Sequence, residues 1–189
     1  MAESLTIPAS ADRRTLYKEI VPQIEALIRG ETDLIANLAN VSAALKEAFG
    51  FFWVGFYLAR DGQLVLGPFQ GPIACSRINF DEGVCGHAFS RHETTIVPDV
   101  DQFPGHIACS SAARSEIVVP IFDEQGDAVG VLDVDSDKAD DFGPEDSEGL
   151  SAVVRLIEAS LQAAPGGFGR HGDLETDPRI EETLEGIAV

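Results

Sequence analysis

Basic residues are scarce in this chain. Lys and Arg number 13 against 32 Asp and Glu, for a formal net charge of −19 and a pI near 4.3. So acidic a protein repels phosphodiester backbones and anionic lipid, which argues against nucleic acid and membrane surfaces as partners and favours a cationic or amine-bearing ligand. Long apolar runs are absent as well: no segment reaches the roughly 18 residues needed to span a bilayer. Met1-Ala2-Glu3-Ser4 does not open the basic-then-apolar pattern of a secretory signal. Cysteine is limited to Cys75, Cys85 and Cys109, an odd number in a sizeable chain, unlike a secreted disulfide framework. A cytoplasmic setting is the expectation. What the chain does have is apolar bulk, 44% hydrophobic residues with eleven Phe over 189 positions, enough for one folded domain with extensions.

In chain order, residues 1–11 show little pattern and read as a loose arm. Leu16, Ile20, Ile24 and Leu27 or Ile28 repeat at helical spacing. Pro22 is expected to kink or divide that helix, and Gly30 to end it. Thr32 is placed to cap a second helix, whose apolar face is Leu34, Leu38, Val41, Leu45 and Phe49. The aromatic and β-branched run Phe51 to Leu58 predicts a strand. Asp61-Gly62 predicts a hairpin turn into Leu64-Val65-Leu66. From Gly67 to Gly86, repeated Gly and Pro predict a long loop region holding Cys75 and Cys85. Thr94 to Val97 reads as a short strand leading into a loop, Pro98 to Cys109. Ile117–Phe122 and Ala128–Val134 form a second hairpin around Asp123 to Asp127. Gly143-Pro144 opens a closing helix with Leu150, Val153, Val154, Ile157 and Leu161 on its buried face. Residues 165–189 are Gly-rich, then acidic, and read as a tail. The layout is α+β: an antiparallel sheet with helices packed on one face and functional loops on the other.

Candidate chemistry centres on Cys109. A lone cysteine is usually a small buried hydrophobe, but three thiols in loop-like text support exchange chemistry, in which one attacks and another resolves a sulfenic acid or mixed disulfide. Zinc is the competing reading, since Cys85, His87, His106 and Cys109 offer two sulfurs and two nitrogens, although without the close cysteine pairs of structural zinc sites. Between Asp123 and Glu148 eleven acids stand against Lys138 alone. Most of these read as a solvated face, but Asp133 and Asp135 alternate with Leu132 and Val134 and so share one side of a strand. Glu116 begins the neighbouring strand and reaches the same side. Either this is a polar outer sheet face, or it is a carboxylate-lined pocket that binds an ammonium group or supplies a proton. Crowded carboxylates raise one another's pKa and disfavour a nearby thiolate, which Arg114 or His106 would offset. Trp53, the single tryptophan, is core material or a flat wall for a small apolar group.

The blocks Trp53-Val54-Gly55-Phe56-Tyr57, Leu64 through Gly71, Gly83-Val84-Cys85-Gly86, Val97 through Cys109, Ser115 through Pro120 and Gly130 through Ser136 together resemble the free methionine-(R)-sulfoxide reductases, a family of GAF-domain enzymes. The resemblance spans residues 12–164, so the expected division is an arm at 1–11, the GAF domain at 12–164 and a tail at 165–189. It implies that Cys109 attacks the sulfoxide sulfur while a protonated carboxyl serves the departing oxygen, and that Cys75 closes a disulfide with Cys85 as accessory thiol. It further implies that Trp53 walls the substrate methyl group and that Glu116, Asp133 and Asp135 bind its polar groups. No bound cofactor or metal is expected; thioredoxin or a similar dithiol is the implied reductant, with NADPH consumed indirectly and a homodimer the expected assembly. Phe80-Asp81-Glu82 stands where the family pattern has a glycine followed by a basic residue, implying a more acidic loop, and the tail is additional to the family core. The competing class is a non-catalytic GAF ligand-binding or regulatory module.

Overall fold

The computed structural model describes residues 4–163, apart from 108 and 110; the acidic segment 165–189 lies outside the described residues. Helix α1 (Arg13–Ile28) starts on Asp12, whose carboxylate accepts from the Thr15 amide at 2.7 Å. Pro22 lies inside α1 without dividing it. Its ring is exposed, so water can serve the Lys18 carbonyl that loses its partner. Helix α2 (Leu34–Phe49) is capped by Asp33, which accepts from the Ala36 amide at 2.9 Å; Thr32 is one residue too early for this role.

Six strands follow: β1 (Trp53–Arg60), β2 (Gln63–Gln70), β3 (Arg77–Asn79), β4 (Thr95–Val97), β5 (Ser115–Phe122) and β6 (Ala128–Ser136). Helix α3 (Gly83–Arg91) joins β3 to β4, and α4 (Pro144–Ala163) follows β6. The strands form one antiparallel sheet in the order β3-β2-β1-β6-β5-β4. Strand alternation sorts the side chains into two layers. Val54, Phe56, Leu58, Ile117, Val119, Ile121, Leu132 and Val134 pack with α1, α2 and α4 in the main core. Trp53, Tyr57, Val118 and Val131 point the other way and pack with Val84, Cys85 and Ala88 of α3. Each large side chain so buried is worth about 1.5–3 kcal/mol.

The stretch read as a loop from Gly67 to Gly86 is largely ordered into elements. Strand β2 continues through Gly67-Pro68 to Gln70 because those two residues fall where the β1–β2 register shifts, between Gly55–Phe69 and Tyr57–Leu66. A bulge is one of the few places where a strand tolerates proline. Cys85 sits inside α3 and not on a loop. The glycine that disguised this helix has a packing role: a Cβ on Gly86 would lie 2.5 Å from the Asn79 carbonyl oxygen. Helix α3 can therefore press its first turn against the β3–α3 connection, which is what lowers Cys85 onto the sheet. At Phe80-Asp81-Glu82, Phe80 stacks on Phe89 at 4.5 Å, while Asp81 and Glu82 are exposed.

Candidate active site

The sheet register brings the acids together. Glu116 on β5 stands opposite Asp135 on β6, Asp135 also stands opposite Trp53 on β1, and Asp133 stands opposite Gly55. The side they share is not an outer polar face, because α3 covers it. Glu116 and Asp133 are each 6% exposed, and Asp135 is half-buried. Cys85, Glu116, Asp133, Asp135, His106 and Cys109 line one small cavity of about 30 Å³ beside the first turn of α3.

Burial dominates the electrostatics here. Glu116 is pushed well above the usual carboxyl range by burial and then by Asp133 and Asp135. Asp135 is raised by burial and by Asp133. Asp133 is pushed up to about 7 by burial, with hydrogen bonds from Cys85 and Glu116 and the Val134 backbone acting in the opposite sense. Among the described residues none of the three forms an ion pair, and Asp133 Oδ1 is buried with no hydrogen-bond partner. The Cys85 thiol donates to Glu116 Oε1 at 4.0 Å and is held protonated by burial and by Asp133 and Glu116. Burial thus favours the protonated form of each acid and of the thiol beside them.

Cys75 and Cys109 form a disulfide across 34 residues of sequence, with Cα atoms 5.2 Å apart. Cys75 belongs to the strap between β2 and β3, and the strap is held from beneath by two aromatic side chains. Trp53 Nε1 donates to the Pro72 carbonyl at 3.1 Å, and the Tyr57 hydroxyl donates to the Cys75 carbonyl at 3.0 Å. Gly71 permits this, since a Cβ there would lie 2.6 Å from Trp53 Cδ1. Trp53, 2% exposed, stacks between Phe69 at 5.3 Å and Tyr57 at 6.0 Å. The sequence reading missed Tyr57; its signal was the even, four-residue spacing from Trp53 along β1, which puts both rings on the face of the acids.

Several expectations are revised. The two-sulfur, two-nitrogen zinc set does not assemble: the Cys109 sulfur is bonded to Cys75, and His87 packs edge-on against Phe103 at 5.6 Å. Among the described residues the one group able to surround a cation is Cys85, Glu116 and Asp133, with ligand atoms within 4.8 Å of one another. A protonated thiol and protonated carboxyls are poor ligands, so a metal would have to displace those protons. Arg114 is exposed and meets β6 through its backbone amide, which donates to the Ser136 carbonyl at 2.7 Å. His106 does line the cavity.

The GAF domain family matches residues 33–161 of this chain. Among curated proteins, GAF domain-containing protein A of Dictyostelium discoideum is 55% identical over 159 residues, covering 84% of this chain and 99% of that one. Free methionine-R-sulfoxide reductase of Escherichia coli is 44% identical over 151 residues, covering 79% and 91%. Among solved structures, free methionine-R-sulfoxide reductase from Neisseria meningitidis in complex with its substrate superposes with a TM-score of 0.83 at 50% identity, covering 85% of this chain and 96% of that one. With its sheet order, its paired cysteines and its buried carboxyls on the α3 face, the chain belongs to the GAF-domain family of free methionine-R-sulfoxide reductases.

Proposed function

We propose that this chain reduces free methionine-(R)-sulfoxide to methionine at the cavity between α3 and the sheet. The observation that carries the reading is the Cys75–Cys109 disulfide formed beside three carboxyls kept off their ordinary range. In the reduced chain the Cys109 thiolate attacks the sulfoxide sulfur. A proton passes from a neutral carboxyl to the sulfoxide oxygen, and Glu116, as buried as Asp133 and the acid pushed up by both of the others, fits that task. Methionine departs and the oxygen stays on Cys109 as sulfenic acid. The Cys75 thiolate then displaces that oxygen, released as water once protonated, and the disulfide seen here forms. Cys85, locked as a neutral thiol under Glu116, serves as an accessory group and not as the first nucleophile.

The same cavity accounts for a preference for the free amino acid. Asp133 and Asp135 offer negative charge to an ammonium group once either is ionised. At the other end α3 presents its first amides: its first internal bond runs from Gly86 to the Glu82 carbonyl, and Glu82 supplies no side-chain cap. Unpaired amides at a helix start attract a carboxylate. A peptide-bound methionine sulfoxide has neither charge. Trp53 and Tyr57 do not line this cavity in the disulfide form; they hold the strap through its carbonyls and are assigned the aromatic wall for the methyl group once the disulfide opens. A volume of about 30 Å³ holds about one water, so the disulfide form is the product state and substrate enters after reduction.

Thioredoxin or a similar dithiol is the reductant, with NADPH used indirectly and a cytoplasmic homodimer as the working form. Among the described residues no helix is long and apolar enough to cross a membrane. The test is NADPH consumption with thioredoxin and its reductase, comparing both sulfoxide epimers, free and in a peptide. Turnover of the free R epimer supports the reading. Binding without consumption would make the chain a ligand-binding GAF module instead.

A further inference from the structure

Among the described residues, three large hydrophobic side chains are exposed, and one of them stands apart: Ile73 is 90% exposed, against 46% for Ile35 and 37% for Ile7. Ile73 lies two residues from Cys75 in the strap. The strap's inward hydrogen bonds are accepted by backbone carbonyls: Pro72 takes Trp53 Nε1, Cys75 takes the Tyr57 hydroxyl, and Ser76 takes the Leu66 amide at 3.0 Å, while Ala74 and Cys75 pack inward. With its backbone tied down, the strap turns Gly71, Pro72, Ile73, Ser76 and Arg77 outward while Cys75 stays half-buried.

Charge singles out the same place. From Gly62 to Phe80 there is no acidic residue, and Arg77 is the only charged one. The segment Gln102 to Ser115, which carries Cys109, likewise contains no acid and has Arg114 as its one fixed charge. In a chain with net charge −19, both halves of the disulfide thus sit on acid-free sequence. An incoming thiolate is an anion, and a surface acidic throughout would repel it and any acidic protein that carries it. Arg77, exposed two residues beyond Cys75, adds a local attraction.

We infer that the strap Gly71–Arg77 is the docking surface for a dithiol oxidoreductase protein, with Ile73 as the apolar anchor and Cys75 as the sulfur attacked. This rests on the reductase reading above. A thiolate of the partner bonds to Cys75 Sγ; the Cys75–Cys109 bond breaks, and Cys109 leaves with the electron pair as the thiolate the next cycle needs. The partner's second thiol then attacks its own sulfur in the mixed disulfide, so Cys75 leaves as thiolate and the partner is left oxidised. Two electrons move from the partner's dithiol to this disulfide. Cys75 is the sulfur that suits attack because its neighbours Ile73, Ser76 and Arg77 are exposed, whereas Cys109 lines the cavity.

The experiment compares Ile73→Asp and Ile73→Ala with the parent full-length chain, reducing the enzyme either with thioredoxin, its reductase and NADPH, or with dithiothreitol. Loss of an apolar anchor of this size raises the KM for thioredoxin about tenfold for Ile73→Asp and less for Ile73→Ala. Dithiothreitol-driven turnover and the KM for the sulfoxide stay at parent values. An unchanged thioredoxin KM, or equal losses with both reductants, overturns the docking surface. Trapping with a thioredoxin that lacks its second cysteine places the mixed disulfide on the Cys75 peptide; capture on Cys109 overturns the assigned sulfur. If the parent chain turns over sulfoxide with neither reductant, the functional reading itself fails, and the docking surface with it.

Discussion

Replacing Asp133 with asparagine tests whether the site's acids are held neutral by burial. Asp133 is 6% exposed, with one oxygen lacking any partner, and its carboxyl is raised from 3.8 to about 7. A group that binds its proton more tightly when folded contributes stability in acid that is lost as pH climbs from the unfolded to the folded value. For Asp133 that window runs from about pH 4 to pH 7. At 1.36 kcal/mol per pH unit the full swing is about 4 kcal/mol, an upper bound because Glu116 and Asp135 share the same protons. Asp133→Asn has no proton to lose, so the parent's stability falls relative to the variant across this window and the gap is constant above it. The assay is urea unfolding of the oxidised chain at several values between pH 4 and pH 8.5. What is read is the change in the gap with pH, since the amide's own contacts add a constant offset. Parallel curves would refute the reasoning and show that Asp133 is solvated or paired.

Cys109→Ser abolishes sulfoxide reduction under every reductant, whereas Cys75→Ser completes a single turnover and stalls with thioredoxin; rapid-quench measurement of methionine released per chain separates the two. Asp146→Ala destabilises the fold by about 1–3 kcal/mol, because the buried Asp146 accepts from Arg13 at 2.7 Å and the Tyr17 hydroxyl at 2.9 Å, while Arg13 keeps Asp141 as a partner; denaturant midpoints of the variant and of Tyr17→Phe check this. Gly86→Ala, whose Cβ would meet the Asn79 carbonyl at 2.5 Å, lifts α3 from the sheet and lowers turnover, with sulfoxide KM as the readout.

Periodicity disclosed the elements that obey a single period. Helices α1, α2 and α4, the β1–β2 and β5–β6 hairpins and the α+β class were legible because each buries one regular stripe. Reading failed where a residue's usual local meaning was overridden by tertiary contact. Pro22 sits in an unbroken helix on its solvent side, Pro68 sits in a bulge, and Gly86 looked like a loop residue though it is a close approach of helix to sheet. Asp146 looked like one more solvated acid at a helix start, yet it is 2% exposed and ties α4 to α1.

The acidic surface, the strands and helices that alternate cleanly, and the residue types available for thiol chemistry follow from the chain alone, since these depend only on composition and neighbours along the chain. The chain alone also placed Glu116, Asp133 and Asp135 on one side of their strands, because strand period is local. That this side is buried came from packing between distant segments, since its cover, α3, comes from a segment that reads as loop. The same packing brings Cys75 to Cys109 and pins Cys85 under Glu116. Contacts across 34 and 31 residues follow from sheet register and helix packing, which no window of sequence contains.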